Sequence, residues 1–110
     1  MRFHIALSCA DVASAVADYR VRLGVEPAVV VDGEYALFRT SELNVSIRRD
    51  GAVPPGHLRH LGWEDVDATS FTSETDALGI VWERFSAEAQ ANEIEAAWPG
   101  TDCAALRGRK

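Results

Sequence analysis

Two cysteines, one methionine and four prolines among 110 residues leave little room for several kinds of protein. Cys9 and Cys103 stand far apart in unremarkable surroundings, so no disulfide framework or cysteine-rich zinc module is available. Neither thiol lies in a basic setting that favours a reactive thiolate, and both read as reduced structural cysteines. No run of about 18 apolar residues occurs, which excludes a membrane-spanning helix. The opening Met1-Arg2-Phe3-His4-Ile5 has a charge but no apolar stretch of useful length, so a secretory leader is not expected and a cytoplasmic location is. Basic residues are also short: 11 against 17 acidic, a net charge of −6. That balance argues against nucleic acid as a partner and serves solubility, while remaining compatible with a cationic small molecule. No Ser-His-Asp constellation, phosphate-cradling glycine loop or zinc-finger spacing is present.

What is present is ordinary in amount, with 47% hydrophobic and 25% charged residues, as in one small globular domain. Its order is more informative, because features recur. His4 and Asp11 in the first half align with His60 and Asp67 in the second, and Leu23-Gly24-Val25 aligns with Leu78-Gly79-Ile80. A period of about 55 residues is the size of a supersecondary unit. Phe3, Ile5 and Leu7 alternate with His4, Ala6 and Ser8 as a strand. Asp11 then caps a helix striped by Val12, Ala15, Val16, Tyr19 and Leu23, which Gly24 ends. Ala28 to Val31, the turn at Asp32-Gly33, Tyr35 to Arg39, and Leu43 to Arg48 supply three further strands. Asp50 to Gly56, with Pro54-Pro55-Gly56, reads as a linker. The second half is expected to repeat the order. It would have a strand at Leu58 to Val66, an Asp67-capped helix through Phe71, Thr75 and Leu78, and a strand at Ile80 to Phe85. A strand at Asn92 to Trp98 and a last one at Asp102 to Arg107 complete it, with Ser86 to Ala91 a helical turn or loop. The predicted fold class is α+β: a single domain over 1–110 made of two βαβββ modules, about 1–53 and 57–110, forming incomplete barrels with helices outside.

Strand parity places His4 and His60 on the face opposite the helices, with Asn44, Ser46 and Arg48 on the same side. Two matched histidines on one concave face suggest a shared ligand pocket. Glu64 shares parity with His60, whereas His57 in the linker reads as solvated. Trp63 has helix-facing parity and reads as core, as does Tyr19. Trp82 and Trp98 either line the pocket, where indoles stack on planar ligands, or fill the module interface.

The paired βαβββ units, the first-strand histidine, Tyr19-Arg20-Val21-Arg22-Leu23-Gly24 and the restart at Arg59-His60-Leu61-Gly62 resemble the vicinal oxygen chelate superfamily. That group contains glyoxalases, extradiol dioxygenases, and fosfomycin- and bleomycin-resistance proteins. The resemblance implies His4 and His60 as ligands of a divalent metal, together with carboxylates from the last strand of each module. Those carboxylate positions fall at Ser46 and Ala105, neither of which is an acid. Glu64, Glu93 or Glu95 would have to complete the shell. With that shell incomplete, the resemblance implies a small-molecule binding protein, possessing no obligatory cofactor and sequestering an antibiotic or other natural product. The alternative is a divalent-metal lyase, isomerase or dioxygenase using His4 and His60. The binding residues implied are His4, Asn44, Ser46, Arg48, His60, Trp82 and Trp98. Open half-barrels leave strand edges, for which a homodimer is the expected cover.

Overall fold

The computed structural model describes residues 1–108; the last two residues of the expected second module, 109 and 110, lie outside the described residues. Among the described residues seven strands form one mixed sheet, and two helices flank it. β1 (Arg2–Ser8) leads into α1 (Val12–Leu23), whose N-cap Asp11 accepts a hydrogen bond from the Ser14 amide at 3.1 Å. The helix ends at Gly24, whose positive φ of 70° lets its amide reach the Arg20 carbonyl. β2 (Val29–Val31) and β3 (Tyr35–Arg39) form the hairpin around Asp32-Gly33. β4 (Leu43–Arg48) returns antiparallel to β3 and parallel to β1. β5 (Leu58–Glu64) pairs antiparallel with the other side of β1, β7 (Val81–Phe85) runs parallel to β5, and β6 (Thr72–Thr75) closes the order. The sequence across the sheet is β2-β3-β4-β1-β5-β7-β6, and it stays open, with β2 and β6 as edges.

Both faces of the first half are covered. Ala36, Phe38, Val45 and Ile47 pack with Val12 and the apolar stripe of α1 on one side. Val29, Tyr35 and Leu37 on the other side pack with Ala91 and Ile94 of α2 (Ala87–Ala97) and with Cys103 and Leu106 beyond it. Removing a side chain such as the fully buried Phe38 from water contributes about 2 kcal/mol. Among the described residues no helix is long and apolar enough to cross a membrane.

The second half departs from the expected repeat. No helix follows Asp67: that stretch is turn, and Thr72–Thr75 is an exposed edge strand. Threonine and serine there favour extended backbone over helix. Asp76 ends the strand instead, its carboxylate accepting from the amides of Leu78 and Ile80, so Gly79 (φ 84°) belongs to a turn. The expected strand at 92–98 is the C-terminal part of α2. Its Ala, Glu and Gln residues are strong helix formers, and the Ser86 hydroxyl accepts the Ala89 amide at its start. The expected strand at 102–107 is a series of turns. Without a second outer helix Trp63 is 40% exposed rather than core, beside Phe3 at 5.2 Å between ring centroids.

One glycine is required by close approach. A Cβ on Gly62 would stand 2.2 Å from the Glu83 carbonyl oxygen of the adjacent strand. Gly62→Ala is therefore expected to force β5 and β7 apart and to cost about 1–3 kcal/mol or more. Urea unfolding of the variant checks this; an unchanged midpoint would show that β7 does not press against β5 there.

Candidate functional site

The two histidines meet because of the β1–β5 register. His4 lies opposite Gly62 and His60 opposite Ala6, so each ring rises over a residue with little or no side chain. The rings lean toward one another across that diagonal, with Nε2 to Nε2 at 3.0 Å. On the far side of β5, Glu83 of β7 is registered with Gly62, and its carboxylate reaches His60 Nε2 at 2.9 Å. The ligand atoms of His4, His60 and Glu83 all lie within 4.8 Å of one another.

His4 is held from behind by a buried chain of polar groups. Its Nδ1 donates to the Asn44 side-chain oxygen at 2.8 Å and approaches the Asn44 carbonyl at 3.2 Å. Both partners are acceptors, so the proton resides on Nδ1 and the Nε2 lone pair faces the cavity. The Asn44 amide donates to Glu64 Oε1 and to Gln90 Oε1 of α2, each at 2.8 Å. Glu64 in turn accepts from Arg2 at 2.7 Å and from Arg39 at 2.9 and 3.0 Å. Burial raises the Glu64 carboxyl, but hydrogen bonds from Arg39 and Asn44 and the charges of Arg39 and Arg2 outweigh it and hold its pKa below the usual range. Glu64 is thereby committed to two arginines and an amide, and supports His4 rather than completing a metal shell. Burial is also the main force lowering the pKa of His4, with the nearby His60 adding to it against the hydrogen bonds it donates to Asn44 and the charge of Glu83.

A cavity of about 160 Å³ opens in front of the pair under α2, also lined by Tyr35, Ser46, Arg48, Arg59, Glu93 and Trp98. Trp98 caps α2; its indole lies tilted against the Tyr35 ring at 5.1 Å between centroids, and the Arg48 guanidinium lies 4.9 Å from its ring centre. Arg59 is tied to Asp50 at 2.8 Å. Glu93 faces the cavity from the helix. Burial and then the Glu83 charge push its carboxyl up, against the pull of His60, Arg48 and Arg59.

The structure thus gathers His4, His60, Ser46, Arg48 and Trp98 around one cavity, while Asn44 stands behind His4. It does not bring Trp82 there: that indole shares a face with Leu61 and donates to Asp76 at 2.7 Å. Ala105 lies in the C-terminal turns, and Glu95 pairs with Arg107. The carboxylate missed in the sequence is Glu83. Parity within the strand read at Ile80 to Phe85 does not reveal it, because nothing local shows that β7 is the neighbour of β5.

A His4 whose folded pKa lies below 6.5 contributes stability that is complete above that value and is lost as pH falls through the lower folded pKa. The imidazole should titrate below 6.5 by NMR, and unfolding free energy should begin to fall as pH drops beneath 6.5, less steeply in His4→Gln. Titration of His4 above 6.5 would contradict the assigned burial and tautomer.

No family model and no curated protein matches the chain. A solved structure described as the NAD-dependent benzaldehyde dehydrogenase from Legionella pneumophila is similar, at 13% identity and a TM-score of 0.54. The match covers 76% of this chain and 97% of that one. At that identity the likeness concerns the fold alone.

Proposed function

We propose that the chain is a divalent-metal-dependent enzyme of the vicinal oxygen chelate kind, a lyase, isomerase or dioxygenase acting on a small molecule in the α2-covered cavity. The observation that carries this reading is the convergence of two imidazole nitrogens and a carboxylate at one end of that cavity. Two histidines and one acid, with other positions left open, are the donor set of catalytic zinc and non-haem iron sites. The spacing fits: nitrogens held tetrahedrally at about 2.05 Å from a cation stand about 3.3 Å apart, a few tenths beyond the 3.0 Å between the two rings. The second-module carboxylate that the family resemblance leaves vacant at Ala105 is supplied on this reading by Glu83. Ser46 pairs with Ala6, two residues after His4, as Glu83 pairs with Gly62, two residues after His60.

When bound, such a cation supplies Lewis-acid polarisation of a ligand oxygen. The chain's own groups do the rest. Asn44, fixed by Glu64 and Gln90, keeps the Nε2 of His4 unprotonated and aimed. Glu93, on the cavity wall, is the acid placed to exchange a proton with a bound molecule. α2 excludes water from one side.

The second reading is the non-catalytic binding protein that sequesters an antibiotic or natural product. Its support is that His60 Nε2 stands within hydrogen-bond distance of both His4 Nε2 and the Glu83 carboxylate, and that no buried side-chain polar atom among the described residues lacks a partner. The cavity weighs against a bulky natural product, since about 160 Å³ lies below the roughly 300–1,000 Å³ typical of drug-sized ligands. A homodimer covering the β2 or β6 edge belongs to either reading.

Titration of the chelator-treated protein with cobalt(II) separates them. One ion per chain should bind, with visible d–d absorption, and affinity should fall at least about tenfold in Glu83→Gln and in the His4→Ala/His60→Ala double variant. Absence of stoichiometric binding, or binding indifferent to Glu83, overturns the metal reading and favours sequestration.

A further inference from the structure

The cavity carries a second feature, a guanidinium set over an indole. Arg48 leaves β4 on the same face as Asn44 and Ser46, and its Cζ lies 4.9 Å from the centre of the Trp98 ring. Trp98 is itself backed by Tyr35. Among the described residues, Arg48 has no carboxylate within ion-pair distance and no hydrogen-bond acceptor, whereas Arg59, the other arginine of the lining, is bound to Asp50. A cation–π contact with an indole engages no hydrogen-bond acceptor and so leaves guanidinium N–H groups for a ligand. Those N–H groups form the fork that fits a carboxylate with two parallel hydrogen bonds. The contact also fixes the arginine before any ligand arrives, which reduces the ordering cost of binding.

We infer that Arg48, clamped on Trp98, is the specificity-determining residue of this cavity and that the ligand it selects is a small carboxylate anion. The inference rests on the reading of the cavity as a ligand site but not on the presence of the metal. It reverses what the net charge of −6 suggests. Glu83 and Glu93 also line the cavity, but Glu83 is engaged by His60 and, among the described residues, neither carboxylate lies within ion-pair distance of Arg48, so its guanidinium is the unpaired cation of the lining. A divalent ion held by His4, His60 and Glu83 would make the same space more positive still and would favour the same class of ligand. The volume of about 160 Å³ restricts that anion to metabolite size.

Calorimetric titration with glycolate and pyruvate, and with the neutral glycolamide as the uncharged control, tests this on chelator-treated and cobalt-loaded protein. A carboxylate should bind at least about tenfold more tightly than glycolamide, and Arg48→Gln should abolish that preference while leaving cobalt affinity unchanged. Arg48→Lys should restore only part of it, because an ammonium lacks the planar fork. Carboxylate and amide binding alike, no carboxylate binding at millimolar concentration, or a preference that survives in Arg48→Gln overturns the inference. Failure of the metal reading looks different: cobalt does not bind, yet the Arg48-dependent preference for the anion persists in the chelator-treated protein.

Discussion

The antiparallel register of β1 against β5 is the constraint on which the site depends. It sets His4 opposite Gly62 and His60 opposite Ala6, so two imidazoles two positions out of step share one face with room between them. A slip of one residue would turn one histidine to the other side of the sheet and dissolve the pair. The same glycine admits β7 at a distance no side chain permits, and that close approach carries Glu83 to His60. Packing and chemistry are therefore tied at Gly62.

Behind the pair lies a polar chain that runs from Arg2 and Arg39 through Glu64 and Asn44 to His4. Buried charge is costly, and it is tolerated here because each donor and acceptor in the chain is matched. The consequence is a defined tautomer: Nδ1 protonated toward Asn44, Nε2 bare toward the cavity. On the opposite wall Trp98, beside Tyr35, carries the Arg48 guanidinium over its ring. The cavity is thus preorganised from both sides, by Asn44 behind His4 and by Trp98 beside Arg48.

The first half of the fold was legible because its signals are local. Asp11 and Gly24 bracket a helix by capping chemistry, Asp32-Gly33 turns a hairpin, and alternation marks β1 and β4. The second half misled for an equally local reason. Phe71, Thr75 and Leu78 fall at helical spacing, yet Phe71 stacks on Phe85 and Leu78 is left in solvent. Conversely, the weak alternation of Asn92 to Trp98 concealed a helix that alanine and glutamate propensity favours. Searching the supposed last strand for an acid then led to Ala105 and past Glu83.

From the order of residues alone follow the α+β class, the strand parity that gives His4, Asn44, Ser46, Arg48 and His60 a common face, and the scarcity of basic or membrane-crossing segments. Those features depend on neighbours within a few positions along the chain. Which carboxylate stands beside the histidines, which tryptophan clamps the arginine and what covers the sheet depend on strand order and on the path of α2. These are contacts between residues tens of positions apart, chosen by long-range packing that no local pattern encodes.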